Sequence, residues 1–423
     1  MWFSSWLRHQ TVSRKQRPAR FRPTLEALED RWVPSTLTVT NNLDSGAGSL
    51  RAEIAAAKNG DTIVFAPSVN GQTITLTSGE LLINKNLTIN GPGPGQLTVS
   101  GNNVSRVFDL ASVAASLSGM TIRGGNASVG GGITNANYGA LTIANCVITG
   151  NSATYEGGGI YTDGTLSVSN CSLTGNSASS SGGAIYEYAA SFTVQLSTIS
   201  DNRAHVDGGG IGYFASSTPS VGTIQSCTIS NNSASHGGGV NQWHGVLKLL
   251  GSTLSGNTAA EDGTVYGTLG ARGGGLYNVG TVTVTSCTFT GDSAVLGGGI
   301  YMNTGSNRTI AGCTFTNNTA VQGGGIYHDF GPAITVSSST FTGNSAAQGG
   351  GIYNAFGYVT LVSCNLSGNS ATDSGGGVFN AASCNLIVRG STLLNNIAPL
   401  GADLYNLGTV SIDSASTVGV IYP

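Results

Sequence analysis

Charge is the scarcest property of this 423-residue chain: Lys, Arg, Asp and Glu make up 9% of it, so any charged cluster stands out. A basic stripe able to track phosphates is excluded, and no nucleic-acid partner is expected. No apolar run approaches the roughly 18 residues of a membrane-spanning helix, so no transmembrane segment is expected. The opening Met1-Trp2-Phe3-Ser4-Ser5-Trp6-Leu7 is short and interrupted, which leaves no conventional signal-peptide core. The seven cysteines follow no zinc spacing, and a P-loop, a serine-nucleophile elbow and a Gly-Gly-x-Gly-x-Asp calcium repeat are all missing. Neither a metal nor a cofactor is expected.

What is present is a repeat. Copies begin at Met120, Cys146, Cys171, Ser197, Cys227, Ser252, Cys287, Cys313, Ser339, Cys364 and Ser391, most of them 25 to 27 residues apart. Five residues after a start stands Asn151, Asn176, Asn202, Asn232, Asn257, Asn318, Asn344, Asn369 or Asn396, with Asp292 and Gly125 as exceptions. A run of glycines follows, then an apolar residue and usually an aromatic one, as in Gly323-Gly324-Gly325-Ile326-Tyr327. Within a repeat the pattern alternates, as in Thr281-Val282-Thr283-Val284-Thr285, which is strand periodicity. A unit of about 26 residues with three short strands cannot close its own core, but stacked on like units it forms a parallel β-helix. The expected fold is therefore all-β, a single-stranded parallel solenoid.

Stacking assigns roles. The recurrent Asn forms a hydrogen-bonded ladder at a turn and is structural. Ile or Val after the glycines points inward. The next residues, Tyr161, Tyr186, Tyr277, Tyr301, Tyr327 and Tyr353, point outward as an aromatic column which, with Trp243, is the candidate ligand surface. Cys alternates with Ser at the repeat start, which reads as a small packed residue, so buried free thiols are expected.

The repeats Cys313-Thr314-Phe315-Thr316-Asn317-Asn318 and Gly324-Gly325-Ile326-Tyr327 resemble those of the polymorphic outer-membrane protein family, over about residues 120 to 410. With the opening Gly48-Ser49-Leu50-Arg51-Ala52-Glu53-Ile54, the chain also resembles the pectin-lyase-like class of right-handed parallel β-helices. The first resemblance implies a secreted or cell-surface location. The second implies either binding or cleavage of polysaccharide. The carboxylate motifs by which enzymes of that class work are missing from the coils: there is no Asp-Asp pair, Asn-x-Asp or Arg-x-Lys.

Four segments follow. Residues 1–34 form a basic leader that holds seven of the 17 Lys and Arg and three of the 20 acids, leaving ten bases against 17 acids in the body. Part of it, Arg22 to Ser35, resembles leaders of large extracellular bacterial proteins and implies export; a disordered basic tail is the alternative. Residues 35–62 hold a strand and a capping helix over Ser49 to Gly60, 63–412 the β-helix, and 413–423 a tail. Two longer repeats carry insertions, near Phe214 to Pro219 and around Glu261 to Tyr266.

Where chemistry is concerned, the position before the glycines reads Glu156, Ser181, Asp207, His236 and Arg272 in five successive coils, with Asp163 and Glu187 near in register. Asp163, Glu187, Asp207, His236 and Arg272 are thus the candidate catalytic set for a polysaccharide lyase or glycoside hydrolase. The plainer reading takes them as solvated turn residues. The leading expectation is an exported, non-enzymatic, monomeric surface or matrix protein that binds polysaccharide or another cell-surface component.

Overall fold

The computed structural model describes residues 34–215, 220–260, 270–305 and 308–423. Nearly all of the basic leader, Ser216 to Pro219 and the Glu261 to Tyr266 insertion lie outside them. The described residues form one compact unit, Pro34–Pro423.

Each coil presents three faces. The first holds the Gly-Ile-Tyr strands such as Ile326–His328, the second the Thr/Val strands such as Ile334–Ser337, and the third the strands after the repeat start, such as Thr340–Thr342. All pair in parallel with the same position one coil on, as in Ile300↔Ile326↔Ile352 and Phe289↔Phe315↔Phe341. The third-face sheet has 14 strands. Register cannot slip, because a one-residue shift would turn every inward Ile, Val or Phe to solvent.

The corners explain the turn residues. A left-handed residue stands at each: Ser338 (φ 47°) between second and third faces, Asn317 (φ 55°) after the third, and Gly323 (φ 68°) before the first. The second glycine of the run is needed for a different reason: a Cβ on Gly324 would lie 2.5 Å from the Gly350 carbonyl oxygen of the next coil. Glycine supplies the handedness at the first position and the close approach at the second.

The repeat start also becomes intelligible. Ser197 Oγ donates to the Gln195 carbonyl at 2.7 Å, and Cys171 Sγ to the Ser169 carbonyl at 3.2 Å. Thiol and hydroxyl fill the same buried site with the same bond, so they interchange. All seven cysteines are free and buried, and burial pushes the Cys146 thiol up to about 12.

The ends differ from expectation. Ser49 caps the helix by accepting from the Ala52 N–H at 3.2 Å, but the helix is Leu50–Ala56 and stops well short of Gly60. Strand Thr36–Val39 pairs with Thr62–Phe65, so the coils begin before residue 63. Thr417–Val418 and Ile421–Tyr422 pair onto preceding coils, so the expected tail 413–423 is solenoid as well.

Candidate functional site

Two buried polar columns fix the corners on either side of the first face. In the first, each Asn side-chain amide donates to the carboxamide oxygen one coil on: Asn318 to Asn344 at 2.9 Å, Asn344 to Asn369 at 2.8 Å and Asn369 to Asn396 at 2.9 Å. The same oxygens accept the backbone N–H of the preceding Asn, as in Asn318 to Asn344 at 3.1 Å. Asn151, Asn176, Asn202, Asn232 and Asn257 form the same file at 2.9 to 3.0 Å. Asp292 accepts from Asn257 at 2.9 Å, yet its Oδ2 has no partner, and burial pushes its carboxyl up to about 8. Asp403 takes the last amide, from Asn396 at 2.9 Å.

The second column is heterogeneous. Register aligns Thr162, Glu187, Tyr213, Gln242, Asn278 and, further on, His328, Asn354 and Asn380. Asn354 donates to Asn380 at 2.8 Å. Glu187 therefore faces inward and is fully buried; its Oε1 accepts from the Ala190 N–H at 3.0 Å, its Oε2 has no partner, and burial pushes it up to about 8.

The aromatic column exists, but not as an exposed surface. Tyr277, Tyr301 and Tyr327 stack face to face at 5.2 and 5.4 Å and are 2%, 0% and 8% exposed. Stacking covers both ring faces, Arg272 lies over the Tyr301 ring at 5.1 Å, and the Tyr301 hydroxyl donates to Asp329. These rings point away from the main core, yet they form a small core of their own with Val279 and Ala355. Tyr353 continues the stack at 5.1 Å and is half-buried.

The column is interrupted once. Register runs Tyr186↔Gly212↔Asn241↔Tyr277, so two coils lack a ring between Tyr186 and Tyr277. The missing volume is a cleft of about 310 Å³ lined by Glu156, Tyr186, Asp207, Gly212, Asn241 and Trp243, among others. Tyr161 stacks on Tyr186 at 5.8 Å and extends one wall. At the other wall Trp243 lies 5.8 Å from Tyr277. Asp207 Oδ1 accepts from Asn241 Nδ2 at 3.0 Å and faces His236 Nδ1 at 3.2 Å. The Asn241 carboxamide oxygen is buried and has no partner. Burial raises the Glu156 carboxyl, opposed by a hydrogen bond from Tyr186.

The five candidate catalytic residues do not converge. Asp207 and His236 are neighbours, with His236 beside the Tyr277 ring at 5.3 Å. Arg272 is stacked on Tyr301, and Asp163 accepts from the Tyr138 N–H at 2.9 Å in a turn. Glu187 is interior. The carboxylate that does share the cleft with Asp207 is Glu156. Gly212 and Asn241 were not expected to matter; the signal for them was the absence of Tyr after Ile211 and Val240. Among the described residues no cluster of three or more His, Cys, Asp or Glu could hold a metal ion, and no helix is long and apolar enough to cross a membrane.

Residues 252–416 match the family described as right-handed beta helix region, and residues 145–163 and 170–186 match the Chlamydia polymorphic membrane protein repeat. No curated protein matches the chain. Among solved structures it is similar to the catalytic unit of a thermostable GH87 alpha-1,3-glucanase from Streptomyces thermodiastaticus. That match has 12% identity and a TM-score of 0.47, and covers 91% of this chain and 70% of the other. It is also similar to a mannuronic acid specific polysaccharide family 6 lyase from human gut microbiota, at 11% identity and a TM-score of 0.43, covering 90% and 83%. The chain folds as a right-handed parallel β-helix, and two stretches of it match the polymorphic membrane protein repeat.

Proposed function

We propose that this is an exported surface β-helix that binds a neutral polysaccharide, without cleaving it, in the cleft between Tyr186 and Trp243. The observation that carries the reading is the gap in the aromatic column, where Gly212 and Asn241 leave an open cleft between Tyr186 and Trp243. Aromatic walls with a few convergent polar groups are the usual build of a sugar site. Glu156 and Asp207 accept hydroxyl hydrogens but repel uronates, which disfavours an acidic polymer. The match to polymorphic membrane protein repeats supports the surface location.

Hydrolysis is the second reading, favoured by the raised Glu156 carboxyl as an acid opposite Asp207. Their backbones stand two coils apart, roughly 10 Å along the axis, at or beyond the separation that glycosidases use. Binding is therefore preferred. The test is a glycan array with neutral and uronate-rich polymers, read beside a reducing-end assay. Wild type is expected to retain neutral glycans, the double variant Tyr186→Ala/Trp243→Ala to lose them, and no reducing ends to appear. Retention by the double variant would reject the cleft; new reducing ends lost in Glu156→Gln would establish the hydrolase instead.

A further inference from the structure

The third face carries a pattern that the cleft does not use. From Ser172 and Thr174 to Thr340 and Thr342, seven successive coils place Ser or Thr at both outward positions, as in Thr314-Phe315-Thr316. The in-register pairing sets these hydroxyls in two straight files. Among the described residues one hydrogen bond joins hydroxyls of these files, Ser200 to Thr174 at 3.4 Å, so the rest are left to solvent.

Three observations distinguish these files from ordinary strand surface. First, in three of these coils the inward Phe289, Phe315 and Phe341 stack at 4.9 and 4.5 Å with planes within 4–5°, the arrangement expected of coils that rise with little rotation. Open sheets normally twist by roughly 20° per strand. Second, neither file contains a charged or aromatic side chain over those seven coils, whereas the second face has Lys248, Gln225 and Leu250 at its outward positions. Third, the two repeats are fixed, about 4.8 Å between coils and about 6.7 Å between alternate residues of one strand.

We infer that this face binds ice. Its two repeats approximate the oxygen repeats along two directions of a prism plane of hexagonal ice, over an area roughly 30 Å long. A lone Thr gains nothing from ice over liquid water, since either satisfies its hydroxyl. On a rigid lattice the gain is collective: waters held at successive sites already sit at solid spacing, so their ordering is not lost again at each contact. The methyl groups limit competing water orientations, and the absence of charge avoids strongly hydrated ions that do not fit the solid. A crystalline polysaccharide is the lesser candidate, because no aromatic ring stands on these files to stack on a sugar.

The test uses the full chain in a nanolitre osmometer and in a recrystallisation assay. Wild type is expected to facet ice crystals, open a gap between melting and freezing, and hold grain size down. The variant Thr288→Lys/Thr340→Lys is expected to lose most of this, several-fold at equal concentration. Thr309→Lys/Thr360→Lys on the second face keeps it. Thermal melts of each show that the coils remain intact. Ice that grows as in a plain protein control overturns the inference, as does equal inhibition by both variants. Capture on crystalline cellulose or chitin that the third-face variant alone abolishes, without an effect on ice, overturns it in favour of a polysaccharide.

Discussion

From Tyr277 to Tyr422 the aromatic column of the first face is full; between Tyr186 and Tyr277 two of its places are taken by Gly212 and Asn241. The full stretch is satisfied by its own rings and offers little to a ligand. The gap keeps the register of the first-face strands, and two places of the column hold Gly and Asn instead of a ring. What it gains is an opening between two aromatic walls. In a stacked repeat, regular positions hold the coils together, and binding becomes possible where the regularity lapses.

The contrast can be broken most severely from its full side. Tyr301→Ala removes a fully buried ring together with the partner of Asp329 and the platform of Arg272, and is expected to lower stability by about 3–5 kcal/mol, read by chemical denaturation. The Asn ladder offers the same contrast in another form, since one acid stands among amides. Asp292→Asn supplies the missing donor and is expected to stabilise by about 2–4 kcal/mol above neutral pH. Because the folded carboxyl is raised to about 8, its contribution is fully present below about 4 and is lost as pH rises toward 8. The gain from Asp292→Asn should accordingly vanish near pH 4. Glu187→Gln should behave alike with a smaller gain, about 1–2 kcal/mol, flattening the same limb of the stability–pH curve. A gain independent of pH in either variant would contradict the buried-carboxyl account.

The gap itself can be closed. Asn241→Tyr rebuilds the stack beside Tyr277 and is expected to change stability by no more than about 1 kcal/mol while abolishing glycan retention. Gly212→Ala is milder: its Cβ would meet the Gly182 backbone nitrogen and the Tyr186 ring, each at 3.2 Å, so both must give by a few tenths of an ångström and binding weakens only modestly. Undiminished retention by Asn241→Tyr would place the sugar elsewhere.

The coil, its strands and the amide file were legible because each recurs, and recurrence at a fixed period leaves few folds open. The misreadings lie where a single coil departs from the rest. Glu187 passed for a surface residue, although period-two alternation from Ile185 already turned it inward. The Tyr column was placed on the correct side of the strand, but its exposure depended on Arg272 and Asp329 closing over it, and no spacing encodes that. Gly212 and Asn241 looked like tolerated variation, since the absence of a side chain leaves no motif. The limits of the coiled region were missed for a related reason. The strands at 36–39 and 417–422 are recognisable only by the neighbours they pair with.

The amide file has a polarity as well as a spacing. Each ladder Asn turns its carboxamide oxygen toward the N-terminal coils and one N–H toward the C-terminal ones, its other N–H going to a backbone carbonyl such as that of Phe289, so the ladder dipoles add along the solenoid, much as peptide dipoles add along a helix. The positive terminus of that array meets a carboxylate, Asp403, while its negative terminus is met by the Gly125 N–H, 2.8 Å from Asn151 Oδ1. An anion is electrostatically welcome at one end of such an array and unwelcome in its middle. The same residue type is thus a stopper at position 403 and a fault at position 292.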